Sequence, residues 1–158
     1  MLFRSSGRDL TDEQVASGLD GFRELPVHPD VGAAFAKLFD AGVPAYGFTH
    51  GSAEVAAAAL DAGGVRGLLT DVFSCAELAS FKPPPRVYHW ACERVGSAPG
   101  RTALVAVHSW DVHGAVSAGL IGGYCERLEG RVPDAVARPH VAAPSLDDVV
   151  EGLLALPE

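Results

Sequence analysis

The chain has 158 residues, the length of a single domain with a sizeable core. Its composition, with 48% hydrophobic and 20% charged residues, is typical of a globular protein and excludes intrinsic disorder. A formal net charge of -8, with no cluster of Lys or Arg to offset it, argues against nucleic acid and anionic lipid as partners. No apolar run approaches the roughly 18 residues that a membrane span requires, so we expect no membrane association.

The first residues and the cysteines indicate the cellular compartment. Residues 1–6 contain no apolar stretch that could act as a signal peptide, so the sequence predicts a cytoplasmic protein. Cys75, Cys92 and Cys125 are odd in number and widely spaced, which fits neither a disulfide framework nor a zinc knuckle. We therefore expect three reduced, buried thiols.

Helical patterns come first along the chain. Thr11 and Gln14 form a capping-box pattern, which predicts an amphipathic helix over 11–25. Asp30 is the expected N-cap of a second helix, and Gly42 is its expected C′ residue. The further predicted helices span 52–62, 84–95, 112 onward and 145–156.

Short apolar runs that alternate with these helices predict strands. The predicted strands span 43–48, 68–73, 103–107, 120–125 and 141–142. Such alternation predicts an α/β fold, a three-layer Rossmann-like parallel sheet with helices on both faces. The alternation begins only after residue 25, so we separate a leading helical segment, 1–25, from an α/β unit, 26–158.

Polar groups follow three of the predicted strands, at the carboxyl ends where open parallel sheets carry functional residues. The first group combines a hydroxyl, an imidazole and the N–H groups of a helix start, as an anion site requires: Thr49, His50, Gly51 and Ser52. The second is Lys82, in a loop stiffened by three prolines that could aim its ammonium at a carboxylate. The third, which could orient or deprotonate a water, is Ser109, Trp110 and Asp111.

Each group taken alone has an ordinary structural interpretation. Ser52 and Asp111 are of the residue types that cap the helices following them, and Lys82 could be a solvated surface lysine. His108 and His113 lack a third ligand at recognisable spacing, so we expect no metal site. The order of the groups, each after its own strand, favours one shared site.

Together these segments resemble the haloacid dehalogenase superfamily, and within it the L-2-haloacid dehalogenases (type II). The resemblance runs from about residue 25 to 156, and the segments that carry it are 48–52, Lys82-Pro83 with Tyr88, 109–111, Gly114-Ala115 and Ala118-Gly119. It implies a hydrolase that acts on a small 2-haloacid-type carboxylate without a metal or other cofactor. Residues 25–31 are similar to the passage from cap to core in that family. The resemblance therefore identifies 1–25 as a remnant of a helical cap and 26–158 as the core.

The resemblance also implies roles for single residues. In that family an aspartate at the end of the first strand displaces halide from C2 of the substrate, and water then hydrolyses the ester. By position, Lys82 would stabilise this aspartate and Asp111 would position the water, so both are the expected catalytic residues. The expected substrate-binding residues are Thr49, His50, Gly51, Tyr88, His108 and Trp110. His50 and His108 stand where the family often has amides.

The sequence departs from the family pattern at its start. Asp9, Asp12 and Asp20 lie in a helical or loop context without an apolar strand before them, and Asp71 belongs to a later strand. We therefore expect the first strand, the nucleophile and most of the cap to be missing from this chain. Val107 stands where superfamily phosphatases carry a second acid, which favours a metal-free dehalogenase site over a magnesium phosphatase site.

A missing first strand would leave its two neighbours, 43–48 and 103–107, without a central ladder partner. Three states are open: a truncated chain, complementation by another chain or by a second copy in a homodimer, and direct closure of the two strands on each other. The first functional hypothesis is a dehalogenase-like hydrolase that is incomplete and inactive alone. The alternatives are a non-catalytic interaction module and a phosphatase of the same superfamily.

Overall fold

The computed structural model describes residues 10–21 and 25–157. The helices are α1 (Asp12–Asp20), α2 (Val31–Asp40), α3 (Ala53–Ala62), α4 (Pro85–Val95), α5 (Ser109–Ser117) and α6 (Leu146–Leu154). The strands are β1 (Tyr46–Thr49), β2 (Asp71–Ser74), β3 (Ala103–Ala106), β4 (Ile121–Cys125) and β5 (Val141–Ala143). Asp9 and the parts 1–9 and 22–24 of the expected cap remnant lie outside the described residues. No helix in the described part is long and apolar enough to cross a membrane.

The fold is α/β with parallel strands, as the alternating pattern predicts. Strands β1 and β2 pair in parallel, and β4 lies between β3 and β5 with parallel pairing on both sides. Helices cover both faces of the sheet that contains β4. Successive residues of β4 point to opposite faces, so their neighbours show which helix lies on each side. A Cβ on Gly122 would meet Val112 and Val116 of α5, whereas one on Gly123 would meet Val149 of α6.

The expected single sheet is divided in two. The register of β1 on β2 runs from Tyr46 opposite Asp71 to Thr49 opposite Ser74, and β3 pairs with β4 alone. Among residues 10–21 and 25–157, no strand joins β1 to β3, so each presents one unpaired edge. The described chain therefore does not close these two strands on each other.

Helix contacts hold the two sheets together. On one face α2, which leads into β1, packs against α6, which follows β5. On the other face Tyr88 of α4 and Ala115 of α5 belong to one buried cluster, against which Phe48 of β1 and Leu104 of β3 both pack. The division in the sheet is thus bridged by apolar contacts from strands on either side of it.

Asp30 does not cap α2 as predicted. Its side chain makes no cap hydrogen bond; instead its two carboxylate oxygens accept from both terminal guanidinium nitrogens of Arg127. The same carboxylate accepts from the backbone N–H of Leu146 at 2.6 Å, at the start of α6. The guanidinium holds the pKa of Asp30 at about 2, below its ordinary value of 3.8. Asp30 therefore connects α2 to the β4 side of the molecule.

Strand β2 begins later than the apolar run 68–73 predicts. Residues Arg66–Leu68 form a 3₁₀ turn, and the guanidinium of Arg66 donates to the carbonyl of Leu69 at 3.1 Å. This turn replaces the first part of the predicted strand, and the register with β1 starts at Asp71.

Amide hydrogen exchange will test the unpaired edges. Within one peptide plane the C=O and the following N–H point in opposite directions. Ala45 C=O accepts from Thr70 N–H and Thr102 C=O accepts from Ile121 N–H, so the next amides face away from the paired side. We expect faster exchange at Tyr46, Phe48, Ala103 and Val105 than at the alternate positions Gly47, Thr49, Leu104 and Ala106. Equal protection of both sets would show that another segment pairs with these edges.

The Asp30 contacts predict a pH-dependent contribution to stability. Asp30→Ala should lower the free energy of unfolding by about 2 kcal/mol at neutral pH, because a charge-assisted, bidentate partner of Arg127 is lost. The folded-state pKa is depressed, so this contribution is complete above 3.8 and is lost as pH falls toward 2. Urea unfolding of both proteins between pH 7 and pH 2 measures it. Asp134→Ala is the control, since the Arg131–Asp134 pair is 84% and 81% exposed, and it should change stability by less than about 0.5 kcal/mol.

Candidate active site

The centre of the candidate site is a buried ion pair. Nζ of Lys82 lies 2.9 Å from Oδ2 of Asp111, and the two side chains are only 7% and 10% exposed. The same ammonium donates to the carbonyl of Phe48 at 3.2 Å and lies 4.3 Å from the centre of the Phe48 ring. Lys82 is therefore not a solvated surface lysine, and it contacts the carboxyl end of β1 and the start of α5, the helix that follows β3.

Tyr88 fixes the carboxylate of that pair. Its hydroxyl donates to Oδ1 of Asp111 at 2.8 Å and lies 3.1 Å from the Asp111 carbonyl. Burial, followed by the nearby Asp111 charge, raises the pKa of Tyr88, so the phenol keeps its proton as a donor. A Cβ on Gly114 would lie 2.5 Å from this hydroxyl and 2.7 Å from Cβ of Pro83. Glycine at that position lets α5 approach the lysine loop closely.

The turn after β1 is held by its own polar groups. Oγ1 of Thr49 accepts from the N–H of Gly51 at 3.0 Å, and Oγ of Ser52 accepts from Val55 N at 3.3 Å as the N-cap of α3. The Gly51 carbonyl accepts from the hydroxyl of Ser74 at 2.6 Å, which ties this turn to the end of β2. The Thr49 hydroxyl can still donate its proton to a ligand.

Aromatic rings lie in a row beside the ion pair. His50 meets the edge of Phe81 with ring centres 5.5 Å apart, and it stacks on Trp110 at 5.8 Å. His108 approaches the same indole at 5.6 Å. Phe81 and Trp110 are 67% and 39% exposed. The six residues expected to bind substrate, with Lys82 and Asp111, therefore gather at the carboxyl ends of β1 and β3.

Sequence reasoning missed Phe81 as part of this row, and it also missed Glu129. The carboxylate of Glu129 accepts from the N–H of Ser109 at 2.9 Å, so it supplies the cap at the start of α5. This backbone hydrogen bond lowers the pKa of Glu129. No local motif marks either residue, because each contact joins distant parts of the chain.

The described residues contain no group of three or more His, Cys, Asp or Glu side chains that could hold a metal ion. Nδ1 of His113 accepts from the backbone N–H of Ala137 at 2.9 Å, so this nitrogen is engaged in holding a loop. Asp111, the acidic residue at the centre of the site, has Lys82 as its partner.

Comparisons with known proteins identify relatives of part of the chain. No protein-family model matches it. The chain is 33% identical to (S)-2-haloacid dehalogenase 4A of Burkholderia cepacia over 97 residues, 61% of this chain, and 34% identical to (S)-2-haloacid dehalogenase 1 of Pseudomonas sp. strain CBS-3 over 102 residues, 65% of this chain. The matched segments cover 42% and 45% of these relatives, so the chain spans less than half of each.

Solved structures agree on the fold. The chain is similar to an L-2-haloacid dehalogenase from Xanthobacter autotrophicus with chloropropionic acid covalently bound, with a TM-score of 0.86 over 96% of this chain and 70% of that one. The identity is 20%, so this likeness shows the fold alone. Sequence relatives and fold together support one class for this chain, the haloacid dehalogenase superfamily. Within it, the chain is close to the L-2-haloacid dehalogenases of type II, which confirms the family resemblance. The roles of single residues stay predictions.

We predict that removing one partner of the ion pair destabilises the protein more than removing both. Asp111→Ala would leave the Lys82 ammonium buried without its carboxylate, so we expect a loss of about 3–5 kcal/mol in the free energy of unfolding. Lys82→Met combined with Asp111→Ala removes the stranded charge and should lose clearly less. Chemical denaturation measures both. Asp71→Ala is the matched control, because the Arg94–Asp71 pair is 37% and 48% exposed and should contribute less than about 1 kcal/mol. A double variant as unstable as the single one would contradict the coupling.

Proposed function

We propose that the chain forms the core of a hydrolase of the L-2-haloacid dehalogenase type, which releases halide from a small 2-haloacid-type carboxylate through an aspartyl ester. The observation that carries the proposal is the buried pair of Lys82 and Asp111 at the open end between β1 and β3. A fixed, desolvated cation stabilises a carboxylate nucleophile and the charge displaced during attack. The two curated relatives are (S)-2-haloacid dehalogenases, which supports the substrate class.

In this proposal the nucleophilic aspartate lies on a strand outside the described residues. Neighbouring strands in a sheet lie about 4.8 Å apart, so one strand paired with both β1 and β3 would end beside Nζ of Lys82. Its carboxylate oxygen attacks C2 of the substrate, the carbon–halogen bond breaks, and halide leaves with the bonding electron pair. The strand belongs to a longer chain, to a complementing chain, or to a second copy in a homodimer.

The second step uses the carboxylate that Tyr88 fixes. Water attacks the carbonyl carbon of the ester, and Asp111 positions that water and accepts its proton. The bond between the ester carbonyl carbon and the substrate oxygen then breaks, and that oxygen takes the proton from Asp111 to give the 2-hydroxy acid. The second proton of the water passes to solvent, and the nucleophilic carboxylate is restored beside Lys82. Neither step requires a metal ion or another cofactor.

The substrate carboxylate lies at the turn after β1. Thr49 donates its hydroxyl proton to it, and Gly51 shapes the backbone there. Nε2 of His50 already accepts from Lys82 N, which leaves Nδ1–H as the donor of His50. Trp110 and His108 line the side of the site from the start of α5, next to the exposed ring row.

We further propose that residues 1–25 are a remnant of a helical cap and that 26–158 form the core. The part of α1 whose burial is described is exposed, which supports a segment that does not belong to the core. A cytoplasmic location belongs to the same proposal. The free cysteines Cys75, Cys92 and Cys125 support it, because thiols stay reduced there.

A second candidate function is a non-catalytic interaction module. The edges of β1 and β3 that have no partner strand among the described residues favour it, because such edges bind an added strand from a partner or a second copy. A phosphatase of the same superfamily is disfavoured by Val107, which occupies the position of a metal-binding acid.

Halide release from 2-chloropropionate tests the main proposal. The chain alone should release none. A chimera that adds the first strand and cap of the Pseudomonas relative ahead of this chain should release halide without added Mg²⁺. In that chimera Lys82→Met should slow release by at least about 100-fold, because a fixed charge donor is lost.

Three outcomes would contradict the proposal. Halide release by the chain alone would contradict its dependence on an added strand. An active chimera that Lys82→Met leaves unchanged would remove the role of the lysine. Mg²⁺-dependent hydrolysis of a phosphate ester would favour the phosphatase. A chimera with asparagine in place of the strand's aspartate is the matched inactive control.

A further inference from the structure

His50 contacts the loop that carries Lys82, and its expected role in substrate binding does not account for this contact. The backbone N–H of Lys82 donates to Nε2 of His50 at 2.8 Å, and this bond joins residues 32 positions apart. The imidazole packs against Phe81 in a T-shaped arrangement and stacks on Trp110. Ring packing therefore sets the orientation in which Nε2 meets the lysine loop.

This hydrogen bond requires one protonation state. A nitrogen that accepts from an N–H carries no hydrogen, so the imidazole is neutral with its proton on Nδ1. Protonation would place a hydrogen on Nε2, opposite the Lys82 N–H, and the bond would be replaced by a contact between two donors. The new cation would also lie near the Lys82 ammonium.

The charged groups around His50 act in opposite directions. Lys82 disfavours the imidazolium and Asp111 favours it, while burial is the largest influence and lowers the pKa of His50 below 6.5. The ring of His108 also contacts the Trp110 ring, with centroids 5.6 Å apart. Cys75 lies against the backbone of Lys82, and burial raises the pKa of its thiol, so it adds no charge near neutral pH.

We propose that neutral His50 is a positioning residue that fixes the loop carrying Lys82, and that its protonation releases this loop from the turn after β1. The hydrogen bond to His50 fixes the backbone of residue 82 and so controls where the ammonium lies relative to Asp111. Its consequence for halide release rests on the proposed function, whereas its structural part does not.

Nuclear magnetic resonance of the chain tests the structural part. From pH 8 to pH 5, the Lys82 amide proton should shift upfield with the same midpoint as the His50 ring, and this midpoint should lie below 6.5. The protection factor of that amide, corrected for the fall in intrinsic exchange with pH, should drop at least tenfold across the transition. The ring nitrogens at pH 8 should report the Nδ1–H tautomer. The Gly47 amide, on the paired side of β1, should stay unchanged.

Two variants separate proton control from packing. His50→Gln can place a carbonyl oxygen near the position of Nε2 and does not titrate, so its Lys82 amide should stay bonded across the range. His50→Ala should show an unbonded amide at every pH. If His50→Ala does not fold, the titrations of the wild-type protein and of His50→Gln still test the proposal. A Lys82 amide that stays constant while His50 titrates, or a proton on Nε2 at pH 8, would overturn the proposal.

The active chimera gives a separate readout. Halide release should fall below the His50 midpoint in the wild-type background and be flat over that range in His50→Gln. An inactive chimera with the expected amide titration would contradict the proposed function and leave the positioning role intact. An active chimera in which the Lys82 amide does not respond to protonation of His50 would support the proposed function and contradict the positioning role.

Discussion

The ion pair between Lys82 and Asp111 is the constraint on which the rest of the site depends. A buried ammonium is stable only if its charge and its hydrogens are satisfied. Here the Asp111 carboxylate, the Phe48 carbonyl and the Phe48 ring all meet Nζ. Phe48 lies in β1 and Asp111 at the start of the helix that follows β3, so the contacts of this one side chain also set the spacing between the ends of these two strands.

That spacing explains why the sheet stays divided between β1 and β3 in the described part of the chain. Two facing strands with unpaired amides would ordinarily pair with each other or with another chain. Tyr88 and the cluster around it occupy one face, and on the other face Asp30 joins the start of α2 to Arg127 and to the first residue of α6, Leu146. Direct pairing of β1 with β3 would require Nζ of Lys82 to leave the Phe48 carbonyl. Side-chain contacts therefore preserve an opening that backbone hydrogen bonding alone would close.

The sequence predicts the alternation well because it is a local property. The continuous apolar run of β3 and the proline-stiffened loop before α4 needed no tertiary information. Contacts between distant residues could not be predicted from local patterns. Asp30 has the residue type and position of an N-cap, yet its side-chain partner is Arg127, 97 positions away. Both interpretations satisfy the local pattern, and only the fold decides between them. The lysine was found as a candidate, but its burial depends on Phe48 and Asp111, which only the fold brings to it.

Histidine at position 50 illustrates how one substitution changes the physics of a site. An amide side chain could accept from the Lys82 N–H at any pH, but it could not stack on Trp110 as an imidazole does. The imidazole combines both contacts in one ring, and in doing so it makes the hydrogen bond depend on a proton. Burial and the Lys82 charge keep that proton off near neutral pH. The Lys82 ammonium, which defines the site, therefore also helps to keep His50 neutral, and neutral His50 fixes the loop that carries Lys82.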